Sequence, residues 1–383
     1  MSAIVEAKDY ICTEELAELR LRIRKFAEDV LAPKAREIDE HGFDREHYQK
    51  VMDAKLAAIA VSKADGGEGA GTVGRCVVLE EMSRVCPSTA LTFLVGGMGM
   101  YSSIATEEQK RKYYYPWIGG KILPAFCLTE PGSGSDVAAN AATAVRDGDE
   151  YVINGVKTLT TNGASADILN VWAVTNPEVP ASRGMSAFVV EKGTPGVTAK
   201  VQKTMTLRGA EVAEIKFENC RIPAENLLGE EGKGFKYAMS GIAGGRINAA
   251  ACSIGIAQHA LELAVAYAKS RVQFKQPIGS NQGLGFELAD MKCKLESARA
   301  LVFKAAAMID AGLPEAGEFA ALAKIEATEA AQFCADRCLQ IHGGFGCTTD
   351  CDAERVYRDA HAGRIYDGTT DILKMIVSRS LLK

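Results

Sequence analysis

The chain has 383 residues, a net charge of −5 at pH 7, 47% hydrophobic residues and 24% charged residues, the profile of a folded chain with two or three structural units. An acidic balance without a basic block excludes a nucleic-acid partner held by phosphate neutralisation. The eleven cysteines are scattered, so free thiols and a cytoplasmic setting are expected rather than a disulfide framework.

The opening stretch, MSAIVEAKDYICTEEL, lacks a basic segment followed by an apolar core and so reads as no secretory leader. Thr13-Glu14-Glu15 is a helix start, with a capping hydroxyl and acids in the first turn. Leu16, Leu19, Ile23, Phe26 and Val30 follow at 3-4-3-4 spacing and make one apolar helical face. Helical segments continue to about Gly119. The glycine-rich run from Asp65 to Gly71 lacks the strand that precedes a dinucleotide fingerprint, and reads as a flexible inter-helix loop. The stretch 85–105 has no charged residue, but Pro87 and its glycines suit a buried helix better than a membrane span. Gly96, Gly97 and Gly99 each cost about 1 kcal/mol in a helix. They serve either close helix packing or extra room in a pocket.

From Lys121 to about Gly232 the period changes to that of strands. Phe126–Thr129 is a short strand, and the turn from Glu130 to Asp136 offers backbone N–H groups to a polyanion. Asn154-Gly155 and Asn162-Gly163 read as two turns, which alone would make a surface hairpin. Strand-like runs follow at 168–174, 185–190, 197–201 and 212–217. From Phe235 the chain is Ala-rich and helical, with long helices expected at 246–270, 285–311 and 315–340. Cys334, Cys338 and His342, followed by Cys347 and Cys351, are spaced more widely than the paired ligands of structural zinc, so no metal is expected. The fold class is α+β in three blocks: helices over 1–120, a β-domain over 121–232 and helices over 233–383.

Five stretches together carry a family likeness: TEPGSGSD at 129–136, NGVKTLTTNG at 154–163, RVQFKQPI at 271–278, QIHGG at 340–344 and IYDGTTDI at 365–372. In these the chain resembles the acyl-CoA dehydrogenase family over nearly its whole length. The resemblance implies an N-terminal helical domain, a middle β-barrel-like domain and a C-terminal four-helix bundle. It also implies FAD, cradled by Phe126, Leu128, Thr129, Gly134, Ser135, Leu159, Thr160 and Thr161. Leu159 stands where the family usually has a Trp, and Thr160 where it has an Ile. Arg271 and Phe274 match residues that reach the flavin of a neighbouring subunit, where a guanidinium fork suits a pyrophosphate. Gln282, Gln340, Gly343, Gly344, Thr369 and Asp371 complete the implied cofactor set.

For the substrate, the resemblance points to Ser135, Arg246, Tyr366 and Gly368, and to Asp367 as the base that removes the α-proton. The family usually has Glu there, so the reach is one methylene shorter. Some branches place the base just before the helix Arg, but that position is Gly245. Others use an acid in the stretch matching 87–94, which has none. Ala243 replaces an Asp that helps hold CoA, which leaves a carrier-protein thioester open. The implied function is dehydrogenation of a short, branched or alicyclic acyl-CoA, such as cyclohexane-1-carbonyl-CoA, to the 2-enoyl-CoA. Electron-transferring flavoprotein would take the electrons, and a homo-oligomer, usually a tetramer, is implied. Two rivals stand beside it. One is a nitroalkane-oxidase-like flavoenzyme with an Asp base, against which Ser135 and Arg246 speak. The other is a silent flavin-binding protein.

Overall fold

The computed structural model describes residues 13–382; residues 1–12, on which the leader reading rests, lie outside them. The α-helices of eight residues or more are numbered here. Thr13 Oγ1 accepts the Leu16 N–H at 3.4 Å and starts α1 (Glu14–Phe26), which buries Leu19 and Ile23. After α2 (Arg45–Asp53), helix α3 (Gly71–Val85) is nearly all buried. The charge-free stretch beyond it is not one helix. Cys86 is extended, Pro87 opens α4 (Pro87–Leu94), and the chain then turns.

Gly96 and Gly97 make that turn, with φ of +134° and +70°, a region glycine enters without steric cost. A Cβ on Gly96 would stand 2.4 Å from Pro124, and one on Gly97 would stand 2.7 Å from the Phe126 ring. Close packing therefore accounts for these two. Gly99 has nothing within 4 Å on its Cβ side.

The middle of the chain forms an eight-stranded sheet. In chain order the strands are β1 (Pro124–Cys127), β2 (Thr143–Asp147), β3 (Glu150–Thr161), β4 (Ile168–Val174), β5 (Met185–Glu191), β6 (Val197–Val201), β7 (Val212–Pro223) and β8 (Leu227–Leu228). They lie in the order β6-β7-β3-β2-β4-β5-β8, and β1 runs parallel to β4. The first Asn-Gly is not a turn. Strand β3 runs straight through Asn154-Gly155, and its register against β7 shifts there as a β-bulge. Gly155 takes φ +145°, and a Cβ on it would meet Ala142 at 2.6 Å. The second site does turn, with Asn162 at φ +67°.

Helix α5 (Gly234–Ser270) begins well before the expected start, because the glycines at 241, 244 and 245 remain helical. Among the described residues it is the one helix long and apolar enough to cross a membrane, but 67% of its apolar window is buried in the protein. It is a core helix, and its buried alanines let α3, α6 (Gln282–Asp310) and α7 (Ala316–His342) approach closely. A hairpin of β9 (Val272–Gln273) and β10 (Gln276–Pro277) separates α5 from α6. Helices α8 (Asp352–Ala362) and α9 (Thr370–Leu381) close the chain, with α9 packed on α7. Buried charges tie the first and last helical layers together. Arg20 donates to Glu80 at 2.8 Å, and Arg299 Nε donates to the same carboxylate at 2.8 Å.

Candidate active site

A cavity of about 1010 Å³ opens where the two helical layers meet the sheet. The turn after α4, the first half of α5, Phe126 and Asp367 all face it. Asp367 sits on the loop between α8 and α9 with φ +54°, a strained conformation for a residue with a Cβ. Lys324, on α7, holds that loop from behind. Its Nζ donates to the carbonyls of Tyr366 at 2.5 Å and Gly368 at 2.7 Å, one on each side of Asp367. Thr369 Oγ1 accepts the Ile372 N–H at 3.3 Å and starts α9. The Asp367 carboxylate lies directly over Gly245, where a Cβ would stand 2.8 Å from Oδ2. Among the described residues the Asp367 N–H has no acceptor.

The electrostatics follow from burial. Burial pushes the Asp367 carboxyl above the usual range, against the opposing pull of Lys324 and Arg246. Lys324 is completely covered, and burial pushes its ammonium down to about 8, although Asp367 favours the charged form. Burial also lowers Arg246, whose Nε is buried without a partner. One carboxylate on the cavity wall thus lies in the field of two cations set behind it.

Beyond Phe126, the turn after β1 is held by Glu130. Glu130 exchanges backbone hydrogen bonds with Ser133 at 3.0 Å each. Its carboxylate accepts the N–H groups of Ala141 and Ala142 and the Lys157 ammonium, the last at 2.6 Å. Phe126 is half-buried, Leu128 is buried and Thr129 is half-buried, whereas Gly134 and Ser135 are exposed at the top of the turn. On β3, Thr160 is buried, Thr161 is half-buried and Leu159 is 60% exposed with φ +52°.

A second group of expected residues lies elsewhere on the chain. Arg271, Gln282, Gln340, Gly343 and Gly344 are all exposed, and Phe274 caps the β9–β10 hairpin at 94% exposure. Asp371 is exposed in the first turn of α9, while Tyr366 and Gly368 are half-buried beside Asp367. In the nearby cysteine–histidine group, His342 Nδ1 lies 2.8 Å from the Cys338 carbonyl oxygen and so turns back on its own helix. The described cysteines are free thiols.

Family models described as the N-terminal, middle and C-terminal domains of acyl-CoA dehydrogenase match residues 13–121, 125–220 and 232–382. The chain belongs to the acyl-CoA dehydrogenase family. Its similarity to the acryloyl-CoA reductase (NADH) of Anaerotignum propionicum is 43% identity, covering 98% of this chain and 96% of that one. To the cyclohex-1-ene-1-carbonyl-CoA dehydrogenase of Syntrophus aciditrophicus it is 42%, covering 97% and 90%. A solved structure described as the electron transferring flavoprotein of Acidaminococcus fermentans contains a chain that superposes with a TM-score of 0.95. That chain is 40% identical, with 98% of this chain and 100% of that one covered.

As an acyl-CoA dehydrogenase the protein is an FAD-dependent oxidoreductase, and its own surface fits that cofactor. The turn at 132–135 leaves open space above Gly132 and Gly134. Leu159, an apolar side chain at φ +52°, stands uncovered on β3, whose Thr158 N–H donates to the Thr129 carbonyl at 2.9 Å. Reading the sequence missed two residues of this site. Lys324 is one charge among buried alanines at 320, 321, 323 and 327, and that misfit was the available signal. Gly245 drew notice only as a missing acid, whereas here its missing side chain makes room for Asp367.

Proposed function

We propose that the protein oxidises a short-chain acyl-CoA thioester to its 2-enoyl-CoA, with Asp367 taking the α-proton. One observation carries the reading. A cavity-facing carboxylate and a backbone N–H without an acceptor belong to the same strained residue. The N–H would donate to the thioester carbonyl and acidify the α-carbon, while the carboxylate accepts the proton released. Bound FAD supplies the hydride acceptor for the β-hydrogen. The residues from Phe126 to Ser135 and from Leu159 to Thr161 would hold it on one side. Arg271, Phe274, Gln282, Gln340, Gly343 and Gly344 of a neighbouring copy would hold it on the other, with Thr369 and Asp371 near the loop. Ser135, Arg246, Tyr366 and Gly368 would hold the thioester. In support, Arg246 sets a cation near Asp367, and among the described residues its buried Nε has no hydrogen-bond partner.

A short, branched or alicyclic acyl group, such as cyclohexane-1-carbonyl, suits the site best. Asp is one methylene shorter than Glu and must meet its α-hydrogen closer in. Gly99 leaves open space, and one relative bears a cyclohex-1-ene-1-carbonyl name. Electrons would pass to an electron-transferring flavoprotein, and the setting would be cytoplasmic. The reverse direction is the second reading, favoured by the reductase relative, since the same groups serve both directions.

Anaerobic titration with butyryl-, isobutyryl-, cyclohexane-1-carbonyl- and octanoyl-CoA, followed by flavin absorbance, tests the reading. Bleaching by one of the first three is expected. Bleaching by a nitroalkane and by none of the thioesters would overturn the acyl-CoA assignment, and best kcat/KM with octanoyl-CoA would overturn the compact-substrate assignment.

A further inference from the structure

We infer that Lys324 is the positioning residue of the base, clamping the carbonyls of Tyr366 and Gly368 so that Asp367 is held in its left-handed conformation with the carboxylate over Gly245. The inference rests on Asp367 being the base and extends that reading to a residue outside the substrate's reach.

Three observations converge on it. The first is burial without a direct ion pair, Asp367 acting on the ammonium only through its field. Lys324 is 0% exposed, yet among the described residues its hydrogen-bond acceptors are two peptide oxygens. An ammonium so buried is costly, and buried ammonium groups are usually paired with a carboxylate. The second is where those oxygens lie. They flank one residue, and that residue is a non-glycine at φ +54°. Strain of this kind persists only where surrounding contacts fix it. The third is composition. Every other buried side chain in the middle of α7, from Ala320 to Ala331, is an alanine or Thr328, so packing alone asks for nothing longer than a methyl group at 324.

Two effects of the side chain can be separated. The N–H donors fix the backbone, and with it the distance from the carboxylate to a bound thioester. The charge acts on the carboxylate itself. Asp367 faces Arg246 on α5 and Lys324 on α7, with the Tyr366 hydroxyl and the Cys252 thiol close by. Lys324 is the larger of the two opposing influences that favour the ionised base. Losing the cation would therefore raise the pH at which Asp367 ionises.

The experiment compares Lys324→Met, which removes donors and charge, with Lys324→Gln, which keeps an N–H donor and loses the charge. Both are made in the full flavin-loaded protein and checked for flavin content and oligomeric state. With the best thioester found by titration, Lys324→Met should lose roughly 100-fold in kcat at little change in KM, the scale of about 1 Å of misplacement. Lys324→Gln should recover at least tenfold of that loss. In both, the acid limb of kcat/KM should move to higher pH. A kcat within threefold of wild type with an unmoved acid limb in either flavin-loaded variant overturns the inference. So does a loss that Gln does not relieve. Should Lys324→Met not load flavin, the shifted acid limb and reduced kcat of Lys324→Gln decide alone. Asp367→Asn, run alongside, separates the two failures. If it keeps wild-type turnover the base assignment fails; if it is inactive while Lys324→Met is normal, only the positioning role fails.

Discussion

On the proposed mechanism Asp367 would perform two tasks with one residue, holding the thioester carbonyl and accepting the α-proton, and the second can be removed alone. Asp367→Asn keeps shape and hydrogen bonding but takes away the proton acceptor. Turnover should fall by ~10²–10⁴-fold, the usual worth of a general base, while FAD content stays near wild type. Asp367→Glu restores the family's usual residue. If reach is what the shorter acid changes, straight short-chain thioesters should gain relative to the compact substrate. Equal gains on every substrate in a kcat/KM panel would mean that Asp is merely tolerated. Gly245→Ala tests the seat of the carboxylate. The new methyl group would stand 2.8 Å from Oδ2, so the carboxylate must shift by several tenths of an ångström. We expect kcat to fall roughly tenfold or more with thermal stability unchanged. Wild-type kcat would show that the carboxylate has slack.

At the scale of elements, the most consequential buried link is between β3 and the turn after β1. Lys157 is fully covered, and its ammonium bonds Glu130 at 2.6 Å and the Leu128 carbonyl at 3.2 Å. Breaking a buried pair by removing one partner costs about 3–5 kcal/mol. Lys157→Met should therefore lower the flavin-to-protein ratio and the urea midpoint together; full flavin loading would count against this link. Much of this layer was legible in advance. Strands β4 and β6 fall where alternation and punctuation placed them, and Thr13 caps α1 as its hydroxyl suggested. What could not be read depended on distant contacts. Asn154-Gly155 has the composition of a turn, yet Ala142 on the neighbouring segment makes Gly155 a bulge inside one long strand. Likewise Gly241, Gly244 and Gly245 look like helix breakers until the cavity beside α5 shows why small residues stand there. The family was legible because each of its motifs is contiguous in sequence. Lys324, 43 residues before Asp367, was not.

At the scale of the whole molecule, the β9–β10 hairpin stands out. Phe274 is 94% exposed and takes φ +50°, and Arg271 beside it is exposed as well. We propose that this aromatic side chain is a contact residue for a neighbouring copy, as the family likeness implies. Light scattering after size exclusion should give a dimer or, as the family likeness implies, a tetramer. A flavin-loaded monomer would exclude a cofactor site shared between copies. The same hairpin has a genetic consequence. If each flavin rests on the turn of one copy and the hairpin of another, two different inactive mutants can repair each other. Mixed assemblies of Asp367→Asn subunits with Arg271→Glu subunits would contain one site carrying both lesions and one carrying neither. Co-expression should restore measurable turnover that neither variant shows alone, as complementation between two damaged copies of a single gene.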